Sequence, residues 1–250
     1  MKQEYKDLIA NEFRSTCERT IERVAKKEDH KPFHEALLTS DILTYSAFER
    51  SFSTSFGQRA IEEISRYVVL ANGATAAKRQ KETIVSLPAK AISEIDAYLR
   101  YLRSGNATNS EKDFENALRK IMLRDGGSYE DVRIISDLWW NKDGINNYAS
   151  IKTVKPNIDQ TAVAKQDMLM LKAFDNACNV YFGLYYNPFG EDRESYTHNP
   201  PQAIFNMRTE PTVLIGRDYW DTLGGPGTYE ELLEIAADVG EETRKKLQSL

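Results

Sequence analysis

Two residues invite a chemical reading before any fold is assigned. Asp137 lies in Val132-Arg133-Ile134-Ile135-Ser136-Asp137-Leu138-Trp139-Trp140, and Lys152 lies in the later run Ala149-Ser150-Ile151-Lys152-Thr153. An acid and an amine that meet at one point can hold a hard cation, which prefers oxygen ligands, and can steady charge on a phosphate. Such a cation acidifies water and offsets charge on a phosphorane, so the chemistry these types could do is hydrolysis of a phosphodiester. An exposed ion pair across an ordinary turn would have the same spacing. The apolar setting argues otherwise, because Asp137 is flanked by isoleucines and tryptophans, where a carboxylate without a partner is costly. Lys152 likewise stands between Ile151 and Val154.

Those residues need elements to carry them. The run 132–140 is β-branched and aromatic without helical spacing and reads as a strand. Asn141-Lys142-Asp143-Gly144 supplies turn chemistry, and a second strand from about Tyr148 to Val154, stopped by Pro156, completes a hairpin. Adjacent strands lie roughly 5 Å apart, so the two side chains can converge. A helix is expected at 161–177 with Ala164, Met168, Leu171 and Phe174 on one side, then a strand at Val180–Tyr186. A long loop at 187–202, a strand at Thr212–Ile215, a short helix at Asp218–Leu223 and a terminal helix at 228–248 close the order.

Upstream the period is helical. Leu8, Phe13, Cys17, Ile21 and Val24 mark a first helix, ending in the polar run Lys26–Lys31. Residues 33–72 read as largely helical, broken at Ser51–Gly57, whose Ser/Thr cluster can cap a following helix bearing Ile61, Ile64, Val68 and Val69. Helices at 88–103 and 110–123 follow. The whole is expected to be one α/β (α+β) domain over 1–250, with a mixed central sheet flanked by helices and a helical N-terminal extension. Within it, 1–125 is mainly helical, 126–220 carries the hairpin, helix and strands, and 221–250 is the closing helix.

Composition bounds the function. The chain has 250 residues, 33 basic and 38 acidic, for a net charge of -5. From Asp175 onward, 13 acidic residues face 6 basic ones, leaving 27 basic against 25 acidic upstream. An enzyme that must release DNA needs a local basic groove, not a basic pI. No apolar run is long enough for a membrane span, the N-terminus has no signal-peptide pattern, and Cys17 and Cys178 read as buried free thiols in helical patterns. A cytoplasmic protein without a membrane partner is the expectation. The three histidines have no zinc-ligand spacing, Gly224-Gly225-Pro226-Gly227 reads as a helix-to-helix turn, and Trp139-Trp140 reads as core or subunit contact.

The motifs also carry a resemblance. Ser136-Asp137-Leu138 with Ala149-Ser150-Ile151-Lys152-Thr153 resembles the PD-(D/E)XK nuclease signature, and the element order resembles that superfamily's core. Lys31–Leu38, Ser46–Gln58, Lys152–Asn157 and Gly216–Trp220 together resemble type II restriction endonucleases of the TdeIII family, over most of the chain. The resemblance implies Mg²⁺, a homodimer, double-stranded DNA with palindromic sites of the GGNCC kind, and a cognate DNA methyltransferase in the same system. It implies Asp137 and Lys152 as catalytic, with Asp137 also a metal ligand. Ser150 stands where the family usually has Glu or Asp, so a second carboxylate must come from elsewhere. Glu62, or Glu63 as the alternative, follows at the expected helix, and Ser150 and the Ile151 carbonyl are weaker oxygen donors. Lys155, Asn157, Gln160, Lys165, Gln166 and Arg79 are candidates to line DNA, as are Arg193 and His198; a solvated surface is the plain alternative for each. Two other functions share these features: a nuclease-fold protein that only binds DNA, which Ser150 favours, and a helical interaction protein, which the net charge favours.

Overall fold

The computed structural model describes residues 1–26, 30–124 and 126–247. Part of the polar run expected to end the first helix, and the last residue expected of the terminal helix, lie outside the described residues. Helix α1 (Gln3–Ala25) is followed by α2 (Pro32–Leu37), α3 (Ser40–Ser55) and α4 (Ile61–Ala71). Then come β1 (Ala76–Pro88), α5 (Ala89–Arg103), α6 (Phe114–Met122), β2 (Tyr129–Lys142), β3 (Ile145–Lys152) and α7 (Ile158–Phe174). The chain closes with β4 (Asn179–Leu184), α8 (Asn199–Gln202), β5 (Val213–Ile215), α9 (Arg217–Gly224) and α10 (Thr228–Leu247). No helix among the described residues is long and apolar enough to cross a membrane.

The five strands form one mixed sheet in the order β1-β2-β3-β4-β5. The first three are antiparallel neighbours, and β3, β4 and β5 run parallel. Antiparallel strands can be joined by a tight hairpin, and Lys142 pairs with Ile145 across Asp143-Gly144, both at positive φ. The parallel step from β3 to β4 needs a crossover, which α7 provides. Side chains alternate between two apolar layers. Tyr148, Val180, Phe182, Leu184 and Ile215 face α5, α6 and α7. Ala149, Ile151 and Leu214 face α1, α4, α9 and α10. The expected class, helices flanking a mixed sheet, is what the chain adopts, and the Gly224–Gly227 run is the turn between α9 and α10.

Several local expectations change. The mainly helical first half contributes β1, an edge strand that sequence periodicity did not suggest. Its outer half, Lys78-Arg79-Gln80-Lys81-Glu82, is charged, as edge strands that avoid further pairing are. The expected break at Ser51–Gly57 is not one: α3 runs through a π-helical turn at Phe56–Ala60 straight into α4. The Ser/Thr cluster does not cap it. Ser53 donates to Glu49 and Thr54 to the Arg50 carbonyl, both one turn back, while Arg23 donates to Ser51 and Ser55. In α1 the buried stripe is Ile9, Phe13, Thr16 and Thr20. Thr20 enters it because its hydroxyl donates to the Thr16 carbonyl at 2.8 Å. Phe174, expected in the α7 core, is exposed. Cys178 is a buried free thiol, but in the turn before β4, and Cys17 is only half-buried.

Gly183 shows how closely the second layer meets the sheet. A Cβ there would lie 2.5 and 2.8 Å from the Tyr219 ring. The Tyr219 hydroxyl is hydrogen-bonded to the Ser65 hydroxyl of α4 at 2.7 Å in the core. Gly183→Ala must therefore displace the ring or the strand, and should destabilise the protein by about 1–3 kcal/mol. Urea unfolding should show a lower midpoint with an unchanged slope; an unchanged midpoint would show that the layer yields freely.

Candidate active site

The β2–β3 ladder ends at the pair Leu138↔Ala149. Beyond it the strands part, and the Ile151 N–H has no β2 carbonyl to meet. A buried N–H without an acceptor is costly, and the carboxylate of Asp137 takes its place. Asp137 Oδ2 accepts from the Ile151 N–H at 2.7 Å and from Lys152 Nζ at 3.0 Å. Ser150 Oγ stands 3.5 Å from the same oxygen, at the limit of a hydrogen bond. The acid and amine singled out in the sequence thus meet where two strands diverge. Both are half-buried, with side chains 19% and 23% exposed, open enough for a substrate and dry enough for charge to matter.

Helix α4 brings the second carboxylate. Gln80 of β1 donates from one amide nitrogen to Glu62 Oε1 at 2.9 Å and to Asp137 Oδ1 at 3.2 Å. Burial pushes the Glu62 carboxyl above its ordinary value, and the Asp137 charge adds to that, while the Gln80 hydrogen bond and the Arg79 and Lys152 charges oppose it. Glu63 is differently placed. Arg66 and Arg79 hydrogen-bond to it at 2.5 and 2.8 Å. Burial pushes its carboxyl up, but hydrogen bonds from Arg66 and Tyr67, with the two arginine charges, outweigh burial and hold it below the usual range. Of the two glutamates the sequence left open, Glu62 faces Asp137 and Glu63 is committed to arginine.

Two acidic oxygens held together by an amide, with a serine hydroxyl beside them, form a hard-oxygen donor set. Among the described residues no three His, Cys, Asp or Glu side chains cluster as metal ligands. A site with only two carboxylates suits a small divalent cation that keeps several waters.

The expected DNA-lining residues divide. Lys155 is exposed just beyond β3, with its ammonium 5.2 Å from the Phe189 ring centroid. Asn157 and Gln160 form a capping box on α7: the Asn157 side chain accepts from the Gln160 N–H at 2.8 Å and Gln160 accepts from the Asn157 N–H at 3.1 Å. The cap occupies one lone pair of each side-chain oxygen, and an amide reading adenine would have to share that oxygen with the cap or open it. Arg79 bridges Glu62 at 3.7 Å and Glu63. Gln166 donates to Asp96. Lys165 is a correction: it is fully buried, donating to the carbonyls of Lys112 and Ile204 at 2.5 and 2.9 Å. Burial pushes its ammonium down to about 7. Its place in α7 lies between sheet and helices, so it holds α8 and the α6 approach and cannot line DNA. Arg193 is likewise a clamp, donating to the Met207 and Glu210 carbonyls, and the His198 ring meets the Pro156 carbonyl. Trp140 is core, stacked on Tyr181.

Two site residues were missed in the sequence. Gln80 had no local signal once β1 was unread. Asp167 had one: it stands three residues after Ala164 and four before Leu171, on the buried side of α7. Burial raises its carboxyl to about 6, with the Lys152 ammonium pulling down and the Asp137 charge pushing up. Below the ordinary value of 3.8 the folded and unfolded chains both carry that proton. Between there and about 6 the unfolded chain ionises first, so the fold loses stability as pH rises. Asp167→Asn should therefore be more stable than the parent at pH 7, by about 1–2 kcal/mol allowing for partial exposure. The gain should vanish near pH 4. Urea unfolding at both pH values measures it, and an equal gain at both would contradict this origin.

The family model described as HinfI, Type II restriction endonuclease, matches residues 1–240. The type II restriction enzyme HgiCII of Herpetosiphon aurantiacus is 31% identical over 90% of this chain and 84% of its own length. HgiEI of the same organism is 29% identical over 98% of this chain and 91% of its own. The type II restriction enzyme MjaII of Methanocaldococcus jannaschii is 23% identical over 86% of this chain and 64% of its own. No solved structure matches significantly. The chain belongs to the HinfI family of type II restriction endonucleases.

Proposed function

We propose that this protein cuts duplex DNA at a short palindrome by Mg²⁺-dependent hydrolysis, using a PD-(D/E)XK type of site. The observation that carries the reading is the convergence on Asp137 of Lys152, the Ile151 N–H and, through Gln80, Glu62. Asp137 and Glu62 would hold the ion, with Ser150 and the Ile151 carbonyl as weaker oxygen donors. When bound, Mg²⁺ supplies Lewis-acid charge that acidifies water and offsets charge on the phosphorane. Lys152 holds the attacking water in line with the phosphorus and stabilises the developing negative charge. As the new P–O bond forms, the bond to the leaving oxygen breaks.

Membership in the restriction family supports double-stranded DNA as the substrate. Two copies of the chain, one per strand, suit a palindrome, because a two-fold site matches a two-fold protein. A site of the GGNCC kind is our reading from the TdeIII-like motifs, with a cognate methyltransferase as companion. Lys155 serves as a phosphate contact. Arg79 can reach a phosphate only by releasing its glutamates, and Asn157 and Gln160 act by fixing the segment that follows β3. The second reading, a nuclease fold that binds without cutting, rests on Ser150, whose hydroxyl replaces a carboxylate.

Plasmid DNA incubated with the protein and Mg²⁺ should give discrete fragments whose sequenced ends share one short palindrome; smeared products or intact plasmid would refute the reading. Lys152→Ala and Asp137→Ala should each lower cleavage by at least about a hundredfold while duplex binding survives, as read by gel shift. Cleavage retained by either variant removes that residue from the chemistry. Glu62→Ala should lose cutting and Glu63→Ala should keep more of it.

A further inference from the structure

Regular strands keep residues two apart on one face. Along β2 that rule breaks: Ile134 belongs to the layer beneath α5–α7, whereas Leu138 and Trp140 belong to the layer beneath α1 and α4. Along β1 it breaks in step. Val85 and Leu87 lie in the first layer, and Ala77 packs against the second. The pairing between the strands nevertheless keeps one register throughout, from Ala76↔Asn141 to Pro88↔Tyr129. Both strands therefore turn over together, without an inserted residue. One position is absent from the ladder, Gln80 opposite Asp137, and Gln80 has φ +47°. Left-handed backbone is unfavourable for a residue with a Cβ by roughly 1–2 kcal/mol. Glycine would relieve it at an exposed strand position. The glutamine side chain does what glycine could not: its amide spans Glu62 and Asp137.

We propose that Gln80 is a positioning residue of the active site, its backbone turning Asp137 out of the ladder and its amide holding Asp137 and Glu62 within reach of one divalent cation. The inference rests on the metal-site reading above. Asp137 is fixed on its Oδ2 side by β3 and on its Oδ1 side by Gln80. Glu62 belongs to a helix on one face of the sheet, and that amide hydrogen-bonds to both carboxylates. Without the tie, two like charges separate, and a cation must draw them together at its own expense in affinity. Ordered partners of metal ligands are worth about 10–100-fold in affinity or activity when removed.

Gln80→Gly isolates the amide, because it keeps the backbone freedom that φ +47° requires. Calorimetric titration with Mg²⁺ alone should show affinity weaker by on the order of tenfold. Plasmid cleavage should fall by a similar factor at low Mg²⁺ and recover toward the parent as Mg²⁺ is raised, which a merely structural defect would not do. Melting in EDTA monitors the fold. Should the glycine variant melt early, Gln80→Asn, which tolerates left-handed backbone and keeps a shorter amide, is titrated in its place and should fall between parent and loss. Unchanged Mg²⁺ affinity overturns the proposal, whether cleavage is unchanged or is lost equally at every Mg²⁺ concentration. Asp137→Ala run alongside separates the two levels. If it cuts and binds Mg²⁺ like the parent, the metal-site reading itself fails, and Gln80 with it; if it is dead while Gln80→Gly matches the parent, only the positioning role fails.

Discussion

The parting of β2 from β3 is the constraint on which the rest depends. A ladder that continued past Leu138↔Ala149 would pair the Ile151 N–H with backbone and leave Asp137 as one more strand side chain. Because the ladder stops, a carboxylate replaces a carbonyl, accepting at 2.7 Å from the orphaned N–H. The substitution does two things at once. It satisfies a backbone donor that would otherwise be unpaired, and it locks Asp137 beside Lys152, the next residue but one from Ser150. The hydrogen bonds to its Oδ2 leave the other oxygen turned toward Gln80 and α4.

Electrostatics around this point are arranged in opposition. Two acids face each other across one amide, with a third, Asp167, buried close enough to feel both Asp137 and Lys152. Lys152 and Arg79 supply positive charge on the same side, and Arg59, Arg66, Lys78 and Arg79 line a groove together with Glu12 and Glu63. This local balance matters more for a phosphate than the net charge of -5. Burial, with the Asp137 charge adding to it, raises Glu62 against the pull of Gln80, Arg79 and Lys152.

Much of this was legible in the residues, and what was not has physical causes. The hairpin could be read because β-branched and aromatic residues bracket an Asp-Gly turn that needs positive φ. The Asp137–Lys152 proximity could be read because polar groups in apolar strands need partners. β1 was illegible for two reasons. Its exposed half has edge-strand charges that look like a basic patch, and its faces switch at Gln80, so no single period runs through it. Lys165 looked like a surface lysine because helical spacing presumes one apolar face, whereas α7 is covered nearly all round and neutralises an interior amine with carbonyls and aromatic faces. Asn157 and Gln160 looked like base readers because capping and reading draw on the same amide chemistry.

Ser150 is best understood through the helix rather than the strand. On the proposed reading a serine at that position leaves β3 without a charge there, and a second carboxylate comes from an element that can be aimed independently of the hairpin. Helix α4 can be so aimed because it is entered through the π-helical turn Phe56–Ala60. One extra residue in a turn rotates everything after it relative to the preceding helix. The rotation puts Ile61, Ile64 and Val68 into the core beneath the sheet. Glu62, next to Ile61, then comes to the sheet where β2 and β3 separate, while Glu63 is turned to Arg66 and Arg79. The core thus decides which of two adjacent glutamates meets Asp137, and the Tyr219–Ser65 hydrogen bond, one turn along the same side of α4, holds that face in place. Hydrophobic packing of a helix that never joins the ladder thus brings a second carboxylate to Asp137.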